Sequence, residues 1–139
     1  MNNTNVENLS QQELLERLSN SISSAPMNEI INMINGIQDL DQPDSYGYTI
    51  LNAACIDGRE DIVRYLVENH LVDINKKGIE GGTSILCAAV NEEYEIVRYL
   101  AHHGADPNIP DDENKTAYDY LNDDQGGYIR YIANHYGYA

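Results

Sequence analysis

The chain has 139 residues, eleven tyrosines, no phenylalanine or tryptophan, and a formal net charge of −15 at pH 7. This length fits one domain, or about four units of a repeat of about 33 residues. The negative charge repels phosphate backbones and anionic lipids, so neither nucleic acid nor a membrane surface is expected as a partner, whereas a basic protein surface is favoured. The alternative is that the charge mainly keeps the chain soluble.

Residues 9–42 are predicted to form a helical hairpin that caps the N-terminal side of the domain. Ser10 and Glu13 have the spacing of a capping box, and an apolar stripe follows them. Pro26 ends this first helix. The second helix is predicted from about Met27 to Gly36, a residue type that commonly terminates helices.

The chain shows no targeting or anchoring segment, which predicts a cytoplasmic protein. Residues 1–5 lack the basic and apolar parts of a signal peptide, and no run approaches the roughly 20 apolar residues of a membrane span. Cys55 and Cys87 lie in apolar helical segments without metal-ligand spacing, so both are predicted to be reduced core residues.

An internal repeat dominates the rest of the chain. The segment Ile-Val-Arg-Tyr-Leu at residues 62–66 recurs at residues 96–100, and a divergent copy, Tyr-Ile-Arg-Tyr-Ile, occurs at residues 128–132. A period of this size predicts a stack of supersecondary units that bury their apolar faces against one another. The predicted units are two repeats, 43–76 and 77–109, and a C-terminal capping repeat, 110–139.

The units share further motifs in register. Gly-Tyr-Thr-Ile-Leu-Asn at residues 47–52 corresponds to Gly-Gly-Thr-Ser-Ile-Leu at 81–86, and Asp-Ile-Asn at 73–75 to Asp-Pro-Asn at 106–108. With these motifs the chain resembles the ankyrin repeat family over residues 27–136. The resemblance implies an all-α solenoid of stacked helix-turn-helix units with short hairpin loops. Asp73 and Asp106 are expected to bond to nearby backbone.

Three departures from the family pattern predict local weakening. The usual proline and histidine of the first helix are replaced, the histidine by Asn52, Leu86 and Asp119, which is expected to weaken the turn network. The glycine that separates the two helices is Gly58 in the first repeat and Glu92 in the second. We therefore expect the second of these turns to be less sharply defined.

No residue set indicates an enzyme or a cofactor site. His102 and His103 with Asp106 could suggest a metal, but adjacent helical residues point to different faces, so structural or surface roles are favoured. The acidic residues 92–93 and 111–113 lack the alternating ligands and the glycine turn of a calcium loop, and are predicted to be solvated surface. We expect no metal, no cofactor and no catalytic residues.

The resemblance implies that a partner protein binds to the concave face and the hairpin loops. The candidate hairpin residues are Asp44, Tyr46, Tyr48, Lys77, Glu80, Asp111, Asp112 and Glu113; the first-helix candidates are Ile56, Asp57, Val90, Asn91 and Tyr94, with Asp123 and Asp124 at the end. Tyrosines at such positions serve as binding anchors, or alternatively only pack along the hairpin. Tyr65 and Tyr99, by contrast, are predicted to pack between repeats.

Two functions remain open at this point. The first is a non-catalytic protein–protein interaction module, expected to be a monomer when free. The second is an acidic immunity or antitoxin-type inhibitor that covers the active site of a basic nuclease-like toxin, suggested by the charge of −15 on a small capped stack.

Overall fold

The computed structural model describes residues 9–136, and within them the chain forms seven α-helices and two short 3-10 helices, with no β-strand. The α-helices are α1 Gln11–Ser21, α2 Met27–Asn35, α3 Ile50–Ile56, α4 Glu60–Glu68, α5 Ser84–Val90, α6 Tyr94–His102 and α7 Asp123–Tyr136; the 3-10 helices are Ile79–Gly81 and Ala117–Tyr120. Residues 1–8 and 137–139 lie outside the described residues, and with them the segment 1–5 and the end of the predicted capping repeat.

The helices pack as a stack, which confirms the predicted all-α repeat solenoid. In the inner layer α3 packs between α1 and α5, and α5 packs on the 3-10 helix Ala117–Tyr120. In the outer layer α2 packs on α4, and α6 on α7. The stretches that precede α3, α5 and the 3-10 helix Ala117–Tyr120 form the hairpin loops.

The repeated five-residue segment supplies the core. Ile62, Val63 and Leu66 are fully buried in α4, and the equivalent residues of α6 are buried as well. One apolar cluster runs without interruption from Leu15 in α1 to Ile132 in α7. Burial of each large aliphatic side chain stabilises the fold by about 1.5–3 kcal/mol, so the repeated segment is scaffold.

The predicted capping box of the first helix is present, and a threonine side chain caps the start of α3 but not that of α5. Ser10 and Glu13 form the capping box of α1, and the Thr49 hydroxyl accepts a hydrogen bond from the Asn52 backbone N–H at the start of α3. Thr83 occupies the same position before α5, but its buried hydroxyl makes no hydrogen bond within the described residues.

Asn52 replaces the family's histidine and preserves the turn network of the first repeat. Its side-chain oxygen accepts from the backbone N–H groups of Thr49 and Ile79, at 3.3 Å each. Its amide nitrogen donates to the Ser84 hydroxyl at 2.9 Å. The predicted weakening is therefore wrong for this repeat, because one buried amide links both hairpins.

Glu92 adopts the backbone conformation of the glycine that it replaces. Its φ is +61°, close to the +69° of Gly58. The hydrogen bond that closes the turn is 2.9 Å long in both repeats, from Arg59 N–H to the Ala54 carbonyl and from Glu93 N–H to the Ala88 carbonyl. The expectation of a less sharply defined turn is therefore wrong. Replacement of the glycine by Glu92 instead introduces left-handed backbone strain, which destabilises the fold by about 1–2 kcal/mol because the residue has a β-carbon.

The links between repeats are fixed by side chains. As predicted, Asp73 accepts from the Asn75 N–H and Asp106 from the Asn108 N–H, each at 2.9 Å. The Asn75 side chain also accepts from the backbone N–H of Asp106 at 2.8 Å, which ties one link to the next.

Candidate protein-binding groove

The hairpins and the inner helices α3 and α5 enclose an open groove of about 270 Å³, here called the hairpin groove. Leu86 and Cys87 are almost completely buried at its base, whereas Val90 is 45% exposed. The apolar lining residues are Ile56, Ile79, Leu86, Cys87 and Val90. The aromatic ones are Tyr48 and Tyr120, and the acidic ones are Glu80, Asp111 and Glu113. Gly82 and Asn91 complete the lining.

Helical spacing explains why the apolar residues share this groove. Leu86 and Val90 are four residues apart in α5 and therefore lie on one face of the helix. Leu86 stands where the ankyrin pattern has histidine, so this repeat presents an apolar side chain at that position. The groove thus combines an apolar base with acidic residues from two successive hairpins.

The hairpin that carries Glu80 is a tight turn with two consecutive left-handed residues. Glu80 has φ +53° and Gly81 has φ +76°. The turn is closed by a 2.8 Å hydrogen bond from the Gly82 N–H to the Ile79 carbonyl. The Glu80 carbonyl accepts from the Asp112 N–H of the next hairpin at 3.0 Å, so the backbone that presents the Glu80 carboxylate is held on both sides.

Asp44 and Asp111 hold their hairpin loops together. The Asp44 carboxylate accepts from the N–H groups of Tyr46 and Tyr48 and from the Ser19 hydroxyl. Asp111 accepts from two N–H groups of its own loop in the same way. Because Asp44 is buried and fully used inside the fold, the prediction that it contacts a partner is corrected; Asp111 is half-buried and still lines the groove.

The other predicted candidates divide into residues that line the hairpin groove and residues that lie outside it. Tyr46 is 75% exposed at the first hairpin and does not line the groove. Lys77, Asp112 and Asp57 are exposed as well. Seven of the predicted candidates line the groove together: Tyr48, Ile56, Glu80, Val90, Asn91, Asp111 and Glu113.

Three candidates lie at the starts of later helices, and one of them, Tyr94, had been assigned to the wrong helix. Tyr94 begins α6, the second helix of its repeat, and Asp123 and Asp124 begin α7. Tyr94 is half-buried in a separate depression that also contains Leu121 and Gln125, and burial raises the pKa of its hydroxyl. The sequence alone placed Tyr94 in the first helix because the turn after Val90 lacks its glycine.

The acidic side chains make the electrostatic potential inside the hairpin groove negative. Burial, followed by the charge of Asp111 and then that of Glu80, raises the pKa of the Cys87 thiol to about 12. None of the described residues that line the groove is basic. Burial also raises the pKa of Cys55, so both thiols are protonated core groups at neutral pH.

Five lining residues had not been predicted, namely Ile79, Gly82, Leu86, Cys87 and Tyr120. Leu86 could have been found from its four-residue spacing to Val90. Tyr120 could not, because it reaches the groove through the shape of the 3-10 helix that replaces a regular first helix in the last unit.

Three histidines pack against aromatic rings, namely His102, His103 and His135. The His103 ring stacks on Tyr99 with 4.1 Å between ring centroids, and its Nδ1 lies 2.8 Å from the Tyr99 carbonyl oxygen. His102 lies edge-on to Tyr136. Among residues 9–136 no group of three or more histidine, cysteine or acidic side chains is arranged to hold a metal ion.

Tyr99 joins two repeats on the outer layer, as predicted. Its hydroxyl donates to the Glu68 carboxylate of the preceding repeat at 2.8 Å. The Arg64 guanidinium lies 4.5 Å from the centroid of the Tyr99 ring, a cation–π contact between the same two repeats. This aromatic residue is therefore scaffold.

Comparison with known proteins agrees with this architecture. The family model described as "Ankyrin repeats (3 copies)" matches residues 11–111. The chain belongs to the ankyrin repeat family. Ankyrin repeats are generally protein–protein interaction modules, and their stacked units create extended concave binding surfaces.

Several curated proteins are similar over the repeats. Alpha-latrocrustotoxin-Lt1a of Latrodectus tredecimguttatus is 35% identical over 83 residues, 60% of this chain and 6% of the toxin. Ankyrin repeat and SAM domain-containing protein 6 of Rattus norvegicus is 32% identical over 108 residues, 75% of this chain and 11% of that protein. Palmitoyltransferase AKR1 of Lachancea kluyveri is 40% identical over 90 residues, 63% of this chain and 12% of the enzyme. The chain thus spans about a tenth or less of these relatives.

Within residues 9–136 the helices are too short or too polar to cross a lipid bilayer.

Proposed function

We propose that this chain is a non-catalytic binding module that holds a partner protein in the hairpin groove. The observation that carries the proposal is the groove itself, where apolar, aromatic and acidic side chains of three successive units converge around a half-exposed Val90. Aromatic and apolar anchors surrounded by polar groups are typical of the central part of protein interfaces.

The charge of the groove favours a partner with a basic surface. Glu80, Asp111 and Glu113 line it, and the arginines Arg59, Arg64 and Arg98 are paired with carboxylates elsewhere. A negative field of this kind raises the association rate of a positively charged partner more than it raises the affinity. The acidic inhibitor of a nuclease-like toxin is a narrower form of the same proposal and rests on the same charge.

The buried, protonated thiols support a location in the reducing cytoplasm. Cys55 and Cys87 are free, and the fold uses them as small apolar groups.

Position-specific crosslinking in the cells that naturally express the chain tests the proposal. A photoreactive residue at Val90 is expected to trap a protein, whereas the same residue at Asn32, exposed on α2, is the matched control. Equal products from both positions, or a product from Asn32 alone, would place the interface outside the hairpin groove.

A further inference from the structure

The hairpin groove is too small for a folded element of a partner and large enough for one long side chain. Its volume of about 270 Å³ is below the roughly 300–1,000 Å³ of pockets that hold drug-sized ligands. The occupant therefore enters as a single residue that projects from the surface of the partner.

The lining specifies the chemistry of that residue. The buried Leu86 and the half-exposed Val90 favour an aliphatic stem, whereas the carboxylates of Glu80 and Glu113 favour a cationic head group. Only lysine and arginine combine both properties.

Two tyrosines in the lining favour arginine over lysine. Tyr48 and Tyr120 both contribute to the groove. A guanidinium group is planar, stacks on aromatic faces and can bond a carboxylate with two parallel N–H groups, whereas an ammonium group is a strongly hydrated point charge. The fold itself uses such stacking, because Arg130 lies 4.4 Å from the ring centroid of Tyr118 and Arg64 lies 4.5 Å from that of Tyr99.

We infer that the hairpin groove is an anchor site for one arginine side chain of the partner. The aliphatic stem lies along Leu86 and Val90, and the guanidinium group binds the Glu80 carboxylate among the tyrosine rings. This inference rests on the proposed function, since it names the residue type that the same groove takes from a protein surface.

A titration with blocked tripeptides followed by amide NMR shifts tests the inference. Acetyl-Leu-Arg-Leu-amide is expected to bind with a Kd of about 1 mM and to shift the Leu86 and Val90 amides. The lysine peptide is expected to bind about threefold more weakly because it stacks and bonds less well. The citrulline peptide, which has nearly the same shape without the charge, is expected to bind about tenfold more weakly than the arginine peptide.

Two matched variants separate the groove from general charge attraction. Glu80→Gln retains the shape of the side chain and is expected to weaken the arginine peptide about threefold. Glu29→Gln removes the same charge from an exposed position on α2 and is expected to leave the Kd unchanged.

Three results would overturn the inference: equal binding of the arginine and citrulline peptides, equal effects of the two variants, or no saturable shift at about 20 mM peptide, well above the expected Kd. If crosslinking at Val90 still traps a protein in any of these cases, the groove binds a partner through another kind of residue. If the crosslink is absent as well, the proposed function fails too.

Discussion

The side-chain amide of Asn52 donates a 2.9 Å hydrogen bond to the Ser84 hydroxyl of the next repeat. Both residues are buried, so neither can exchange this bond for one with water. The same amide group accepts hydrogen bonds from the backbone of its own helix start and of the following hairpin. One side chain therefore links two of the three units that line the hairpin groove.

Replacement of Asn52 by alanine is expected to lower the free energy of unfolding by about 2–3 kcal/mol, because the buried backbone N–H of Thr49 and the half-buried N–H of Ile79 lose their acceptor. Urea unfolding followed by circular dichroism measures the change. Ser84→Ala removes the acceptor of the Asn52 amide and is expected to cost about 1 kcal/mol. Asn32→Ala on the surface of α2 is the control. Additive effects of Asn52→Ala and Ser84→Ala would show that the two side chains are not coupled.

Glu92→Gly is expected to stabilise the protein by about 1 kcal/mol, since glycine adopts a φ of +61° without the strain of a β-carbon. Thermal unfolding would show a higher Tm. The neighbouring substitution Glu93→Gly is the control and is expected to destabilise, because Glu93 has a φ of −88° and gains nothing from glycine. A lower Tm for Glu92→Gly would indicate that the glutamate side chain contributes more than its backbone costs.

The sequence predicted the stack well because its repeat, caps and apolar spacing are local signals. The second-helix segment, the capping box at Ser10 and the Asp-x-Asn links all lie where the pattern placed them. The errors arose where one residue type took over another's role. Asn52 replaces a histidine and Glu92 a glycine, and only three-dimensional contacts show that each substitute preserves the turn.

Seven of the predicted candidate residues line the hairpin groove, and the others lie outside it. Exposed hairpin residues such as Glu80 and Glu113 were identified, because variable positions in loops favour binding. Asp44 was misassigned because a hairpin aspartate that binds its own loop has the same sequence pattern as one that faces a partner. Tyr120 was missed because the last unit replaces a regular helix with a 3-10 turn.

Gly81→Ala is expected to destabilise the protein by about 1–3 kcal/mol, because the left-handed backbone disfavours alanine and the new methyl group would collide with Asp112. Hydrogen exchange of the Asp112 amide would measure the loss of its bond to the Glu80 carbonyl. Gly127→Ala, where a β-carbon meets no atom within 4 Å, is the control and is expected to be neutral or mildly stabilising. Unchanged exchange in Gly81→Ala would contradict the close approach of the two hairpins.

Tyr99→Phe is expected to cost about 1 kcal/mol at pH 7 through loss of the hydrogen bond to Glu68. Burial and Glu68 both raise the pKa of the Tyr99 hydroxyl well above its usual value. The stabilisation is therefore complete below a pH of about 10, the pKa of an unfolded tyrosine, and is lost as the pH rises beyond it.

Measuring the free energy of unfolding as a function of alkaline pH tests whether this stabilisation is lost as the pH rises. The unmodified chain should lose stability more steeply above a pH of about 10 than Tyr99→Phe does. Tyr46→Phe, at a 75% exposed position, is the control and should follow the unmodified chain. Parallel curves for the unmodified chain and Tyr99→Phe would exclude Tyr99 as the responsible group.

The hydrogen bond between the Asp112 N–H and the Glu80 carbonyl joins the tips of two successive hairpins and restricts their independent motion. A surface whose loops are already joined to one another has little conformational entropy left to lose when it is covered. Its encounter with a partner should then be limited by diffusion and mutual orientation, with no slow rearrangement before docking.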